Sequence, residues 1–87
     1  MTTPEEEKQR AHLERTKKAV LGFLAELGGS GGIAEVHAFS ETRWFVGHQR
    51  FSQMMEQCVA DGLVAYDDGS GTFTLTDAGR AFAATES

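Results

Sequence analysis

Six side chains between positions 48 and 57 can make paired or charge-assisted hydrogen bonds: His48, Gln49, Arg50, Ser52, Gln53 and Gln57. Glutamine meets adenine and arginine meets guanine through two parallel bonds in the major groove, while serine serves a base or a phosphate. Only Glu56 is acidic in that stretch. The same stretch holds Phe51, Met54, Met55, Cys58 and Val59, whose offsets of three, four, seven and eight predict one buried stripe on a helix over 48–61. The hydrogen-bonding set then falls on the opposite, wet face. A polar face is also what any amphipathic helix carries, so its chemistry alone does not select a role.

Other chemistries find less support. His48 and Cys58 lie ten residues apart on that helix, about 15 Å along its axis. Two groups so spaced cannot share a metal ion bound at about 2.0–2.3 Å. His12 and His37 have no partner at ligand spacing, and Cys58 sits on the apolar stripe, where it reads as a small core residue. No Ser/His/Asp or Cys/His arrangement is present, and "GGSGG" at 28–32 lacks the Lys-Ser/Thr of a phosphate loop. The expectation is no enzyme, no cofactor and no metal. A single cysteine excludes an intrachain disulfide and points to a reducing cytoplasm. No apolar run approaches the roughly 20 residues that span a bilayer, and no basic-then-apolar leader opens the chain. A formal net charge of −5 argues against indiscriminate binding to nucleic acid or membrane. Arg15, Lys17 and Lys18 make one cationic cluster, with Arg15 and Lys18 available for phosphate or simply for a solvated helix face.

The elements that must hold these residues are marked along the chain. Thr3, Pro4 and Glu6 combine a capping hydroxyl, a proline at the first helical position and a capping-box glutamate. Leu13, Val20, Phe23, Leu24 and Leu27 then carry a helix over 4–27, about 36 Å long. That exceeds what one small core can cover, so its first turns should project. Gly28 suits a left-handed cap. Ile33 reads as a strand of one or two residues, 34–41 as a short helix burying Val36 and Phe39, and 42–47 as a turn with Gly47 able to take a positive φ. Of adjacent Trp44 and Phe45, at most one can point fully inward. A hairpin over 63–75 with a Gly-Ser-Gly tip follows, then a helix over 76–84 with Thr76 as its cap.

That order of elements, with the stretch "FSQMMEQCVADGLVAYDDGSGTFTLTDAGRAFA", resembles the winged helix-turn-helix family in the manner of MarR- and PadR-type bacterial transcriptional regulators. Two signatures carry the likeness across 20–83. One is "DGLV" at 61–64, where the third helix runs into a strand. The other is "FTLTDAGRAF" at 73–82, where Leu75 fills the core, Thr76 caps and Gly79 lets the last helix lie close. The resemblance implies an α+β, mostly helical fold in one domain over 1–87: a three-helix core with its helix-turn-helix at 34–61, a two-stranded β-hairpin wing, and a short C-terminal helix. It further implies a small regulator binding double-stranded DNA, with Gln49, Arg50, Ser52 and Gln53 nearest the bases and Arg43 at a phosphate. The wing would be Gly69, Ser70, Gly71 and Thr72. Here the chain departs from the family: Asp67 and Asp68 stand where cations usually grip phosphate, leaving the backbone N–H groups of 69–71 as donors. Few phosphate contacts imply a homodimer, through the first helix with Leu13 and the last with Ala78, Ala81 and Phe82. The alternative is a winged helix that binds proteins and no DNA.

Overall fold

Thr3 opens the first helix as its sequence requires: the Glu6 N–H donates to Thr3 Oγ1 at 3.2 Å, ahead of proline at the first helical position. This helix, α1, spans Pro4–Glu26. The computed structural model describes residues 3–84, so positions 1–2 and 85–87 of the expected domain lie outside the described residues. Residues 4–11 of α1 are exposed on every face, and burial begins with Thr16, Val20, Leu21 and Leu24. The projecting first turns give the molecule its long dimension, in extents of 39 × 25 × 22 Å. Leu27, placed on the apolar face by its spacing, is exposed instead, because it caps the helix and the chain turns away there.

Gly28 and Gly29 take φ of 93° and 106°, a left-handed reversal that a side chain would strain. The glycine stretch then does more than stop a helix. Ser30–Gly32 forms strand β1, one position ahead of the strand expected at Ile33, and Ile33 opens the next helix. Gly31 lies so near α1 that a Cβ there would come within 2.9 Å of Leu27 Cδ1 and 3.1 Å of Leu24 Cδ2. Helix α2 runs Ile33–Trp44, three residues beyond the expected end at 41, so the turn shrinks to 45–47. Its left-handed residue is Phe45, φ 56°, while Gly47 holds φ −71° as the N-cap of helix α3, His48–Ala60. Trp44 packs inward and Phe45 is 86% exposed, as the constraint on adjacent side chains requires.

Strands β2, Val64–Asp67, and β3, Thr72–Leu75, form the expected hairpin, but the sheet has three strands. Its order is β1-β3-β2 and both pairings are antiparallel, with Gly31 opposite Phe73 and Tyr66 opposite Phe73 on the other side. Helix α4, Asp77–Ala84, is capped by Thr76, whose Oγ1 accepts from the Gly79 N–H at 3.0 Å and donates to the Gly62 carbonyl at 2.6 Å. Gly79 is required there, since a Cβ would collide with the Leu63 carbonyl. The resulting α+β fold, four helices and a three-stranded antiparallel sheet among the described residues, buries one core. Val20, Leu21 and Leu24 of α1 meet Val36, Phe51, Met55, Cys58, Val64, Phe73 and Leu75 there. Phe23 stacks on Phe39 at 4.3 Å between ring centroids, tying α1 to α2.

Candidate nucleic-acid interface

The rotation of α3 is fixed by the four side chains it buries, Phe51, Met54, Met55 and Cys58. At about 100° per residue, the sector opposite that stripe is centred on Gln49, Gln53, Glu56 and Ala60. All four are exposed, so the ridge is not covered by the chain's own elements. Val59, counted in the apolar stripe from spacing, lies at its edge and stays 41% exposed. Gln57 is exposed, but its Nε2 donates to Asp61 Oδ1 at 2.9 Å, which turns its amide along the helix. Ser52 is half-buried on the flank toward the sheet, where it lines a groove with Val59 and Tyr66 rather than the ridge. His48 is the first residue of α3 and exposed, with its ring edge-on to His37 at 5.2 Å between centroids.

Arg50 and Gln57 lean toward the projecting half of α1. Together with Gln53 they line an open cleft of about 420 Å³, with Leu13 and Met54 as apolar wall and Glu6, Gln9, Arg10, Glu14 and Lys17 opposite. Lys17 is already engaged: its Nζ donates to Glu14 Oε1 at 3.1 Å and stands over the Phe82 ring at 5.2 Å. The cations that α1 brings to this flank are therefore Arg10 and Lys17. Arg15 and Lys18, chosen from the sequence, fall on the part of α1 rotated away from it. Arg15 is exposed and Lys18 half-buried there, and neither joins Arg50 in the cleft. The missed residue is Arg10. Its helical phase was legible, three residues ahead of Leu13 and seven ahead of Lys17. Arg43 is exposed in the last turn of α2, just before the turn into α3.

The acid at the hairpin tip has a local cause. Asp67 Oδ1 accepts from the Gly69 N–H at 3.1 Å, and its Oδ2 from the Ser70 hydroxyl at 2.9 Å. The Asp67 carbonyl accepts the Gly71 N–H at 2.8 Å. This is how an aspartate closes a tight turn on its own backbone. It also corrects an expectation, because the Gly69 and Gly71 N–H groups are consumed inside the turn and do not face a ligand. Ser70 and Asp68 remain exposed at the tip, and Thr72 is half-buried, taking a place in β3 opposite Asp67 and Gly32.

The histidines are paired more closely than their spacing implied. His12 Nε2 donates to the Trp44 carbonyl at 2.9 Å, so α1 supplies a cap to the C-terminus of α2. His37 contacts both His48 and Phe51 edge-on. Its Nε2 comes within 3.4 Å of Glu41 Oε2 without hydrogen-bond geometry, and that buried nitrogen has no hydrogen-bond partner. Among the described residues no three His, Cys, Asp or Glu side chains converge at metal-binding distance. Burial pushes the Cys58 thiol up to about 11, far from a reactive thiolate. The dimer surface expected on α4 is partly taken, since α4 packs chiefly on α1 and Phe82 is half-buried beneath Lys17. No helix among the described residues is long and apolar enough to cross a membrane. No family model, curated protein or solved structure matches this chain.

Proposed function

We propose that the chain is a winged helix-turn-helix module whose α3 enters the major groove of duplex DNA. The observation that carries this reading is the exposed Gln49–Gln53 ridge on a helix anchored by four buried side chains, with Arg50 on its flank. A helix of this diameter fits a major groove, and paired amides and a guanidinium are the groups that distinguish base pairs there. In this reading α2 and α3 form the helix-turn-helix, the β2–β3 hairpin is the wing, and Arg43 meets a phosphate. The shape-closing role of Asp67 explains an acid at the wing tip without assigning the wing a grip on DNA. Wing contacts would then be few, and binding would depend on α3 and on two copies acting together. No catalytic role is proposed.

Selection from a randomised duplex library tests this reading. The wild type should enrich one motif, and Arg50→Ala should lose about 1–3 kcal/mol of discrimination at one base position. A uniform loss at all positions would leave Arg50 as a phosphate contact only, and no enrichment by the wild type would refute base reading. A second reading, a winged helix that docks proteins and no DNA, is favoured by the apolar groove between α3 and the sheet, where Glu56 is the one charged residue on the wall.

A further inference from the structure

Among the described residues Leu27, Ile33, Val59 and Tyr66 are exposed large apolar side chains at 39–41%, while Phe45 stands apart at 86%. Phe45 is also the one non-glycine among the described residues with a positive φ, at φ 56° and ψ 38°. A bulky side chain is disfavoured in that left-handed region, which glycine and asparagine enter far more readily. A lone exposed aromatic is ordinary. One held out on a strained backbone is not, and such outliers cluster at functional positions.

Both neighbours fix where the ring stands. Trp44 packs on the core and its carbonyl accepts from His12 Nε2 at 2.9 Å, while Val46 is buried. The Phe45 N–H donates to the Glu41 carbonyl at 3.1 Å, and the Val46 N–H to the Ser40 carbonyl at 3.3 Å. The turn is thus bonded and packed on either side of a ring that stays in water.

The surroundings say what meets that ring. The chain carries −5 overall, yet the exposed formal charges of 41–50 are Arg43 and Arg50 against Glu41 alone. Glu41 Oε2 itself lies 3.4 Å from His37 Nε2. A phosphate backbone passing this turn meets more cation than carboxylate, unlike one passing Asp67 and Asp68. Two residues on, Gly47 is the N-cap of α3, whose first turn carries Gln49 and Arg50. Recognition helices touch base edges with their N-terminal residues. The apolar feature of base edges in a major groove is the thymine methyl group, which phenylalanine can cover.

We propose that Phe45 is a specificity-determining residue whose ring packs on the methyl group of a thymine; this rests on base reading by α3. Four residues separate Phe45 from Gln49, at most about 14 Å of extended chain, or roughly four base-pair steps of duplex. The thymine therefore lies within about four steps of the base pair that Gln49 meets. The free fold gains nothing from an aromatic at this position, and the complex gains the methyl contact.

The test is anisotropy of the full chain on the duplex that the wild type selects, with each thymine replaced in turn by uracil, which pairs alike and lacks only the methyl. One such replacement, within about four steps of the base pair whose preference Gln49→Ala relaxes, should weaken wild-type binding about fourfold, the scale of one buried methyl group. Phe45→Ala and Phe45→Asn, with folding verified by thermal melts, should bind the thymine and uracil duplexes equally and keep the rest of the motif. The wild-type scan needs no variant to fold: indifference to every uracil overturns the proposal. So does a thymine preference that persists in both variants, or a loss in them that is uniform over all sequences, which would place the ring on sugar or phosphate. Each of these outcomes leaves base reading by α3 intact. A wild-type dimer that Phe45→Ala dissociates in the absence of DNA makes the occupant a second copy and overturns the proposal. A wild type that enriches no motif overturns base reading and this assignment together.

Discussion

A methyl group added at position 79 would strike the Leu63 carbonyl, a backbone atom held in place by its hydrogen bond from the Thr76 N–H. Gly79→Ala should therefore destabilise the fold by about 1–3 kcal/mol, the usual scale of overpacking, which a thermal melt reads directly. Phe45 carries the opposite liability. Its left-handed φ and its exposure are both unfavourable for a large aromatic, and the ring touches little. Phe45→Asn, a residue that tolerates this conformation, should leave stability unchanged or raise it by about 1 kcal/mol; a loss would reveal a structural role for the ring. Cys58 makes a pH prediction. Burial raises its folded-state value from 9.0 to about 11, so the unfolded chain releases this proton first. The contribution is full below pH 9 and is lost as pH rises toward about 11. Cys58→Ala should remove that part of the alkaline decline in urea-unfolding free energy. Close approach at Gly79 was legible because Leu-Thr-x-x-Gly precedes a helix. The strain at Phe45 was not, because Gly47 offered itself two residues later and only packing of Trp44 decided between them.

At the level of elements, α3 was the most legible, since Phe51, Met54, Met55 and Cys58 repeat at helical spacing and glycines bound it at 47 and 62. α2 was less so. Its core contacts include Ser40, a polar residue that stays buried by donating to the His37 carbonyl at 2.9 Å. Its extension to Trp44 depends on a partner 32 residues away, the His12 side chain from α1. Without that bond the last carbonyls of α2 would lose a donor. His12→Ala should cost about 1 kcal/mol, which in a chain this small corresponds to a fall in Tm of roughly 4–8 °C. β1 was nearly invisible because glycine has no side chain to alternate between faces. The Ser-Gly-Gly strand exists through its pairing to β3 and the room glycine leaves for Leu24 and Leu27.

For the whole molecule, the sum of charges was readable and their placement was not. The net of −5 conceals an α3 flanked by cations on one side and by an apolar groove with Glu56 on the other. Arg15 and Lys18 looked useful beside Lys17, yet one residue of rotation separates a groove-lining side chain from one facing away. The candidate reading face therefore rests on Gln49, Gln53 and Arg50, with Arg43 and Arg10 as the nearest phosphate candidates. The measurement that tests it most directly is anisotropy of the full chain on its selected duplex as salt is raised. DNA reading by α3 predicts a complex at low salt that weakens by about 0.9 log units per tenfold salt for each phosphate neutralised, over several phosphates, and that is lost when Gln49 and Gln53 are both changed to Ala. No complex at low salt, or one indifferent to that double substitution, would contradict it.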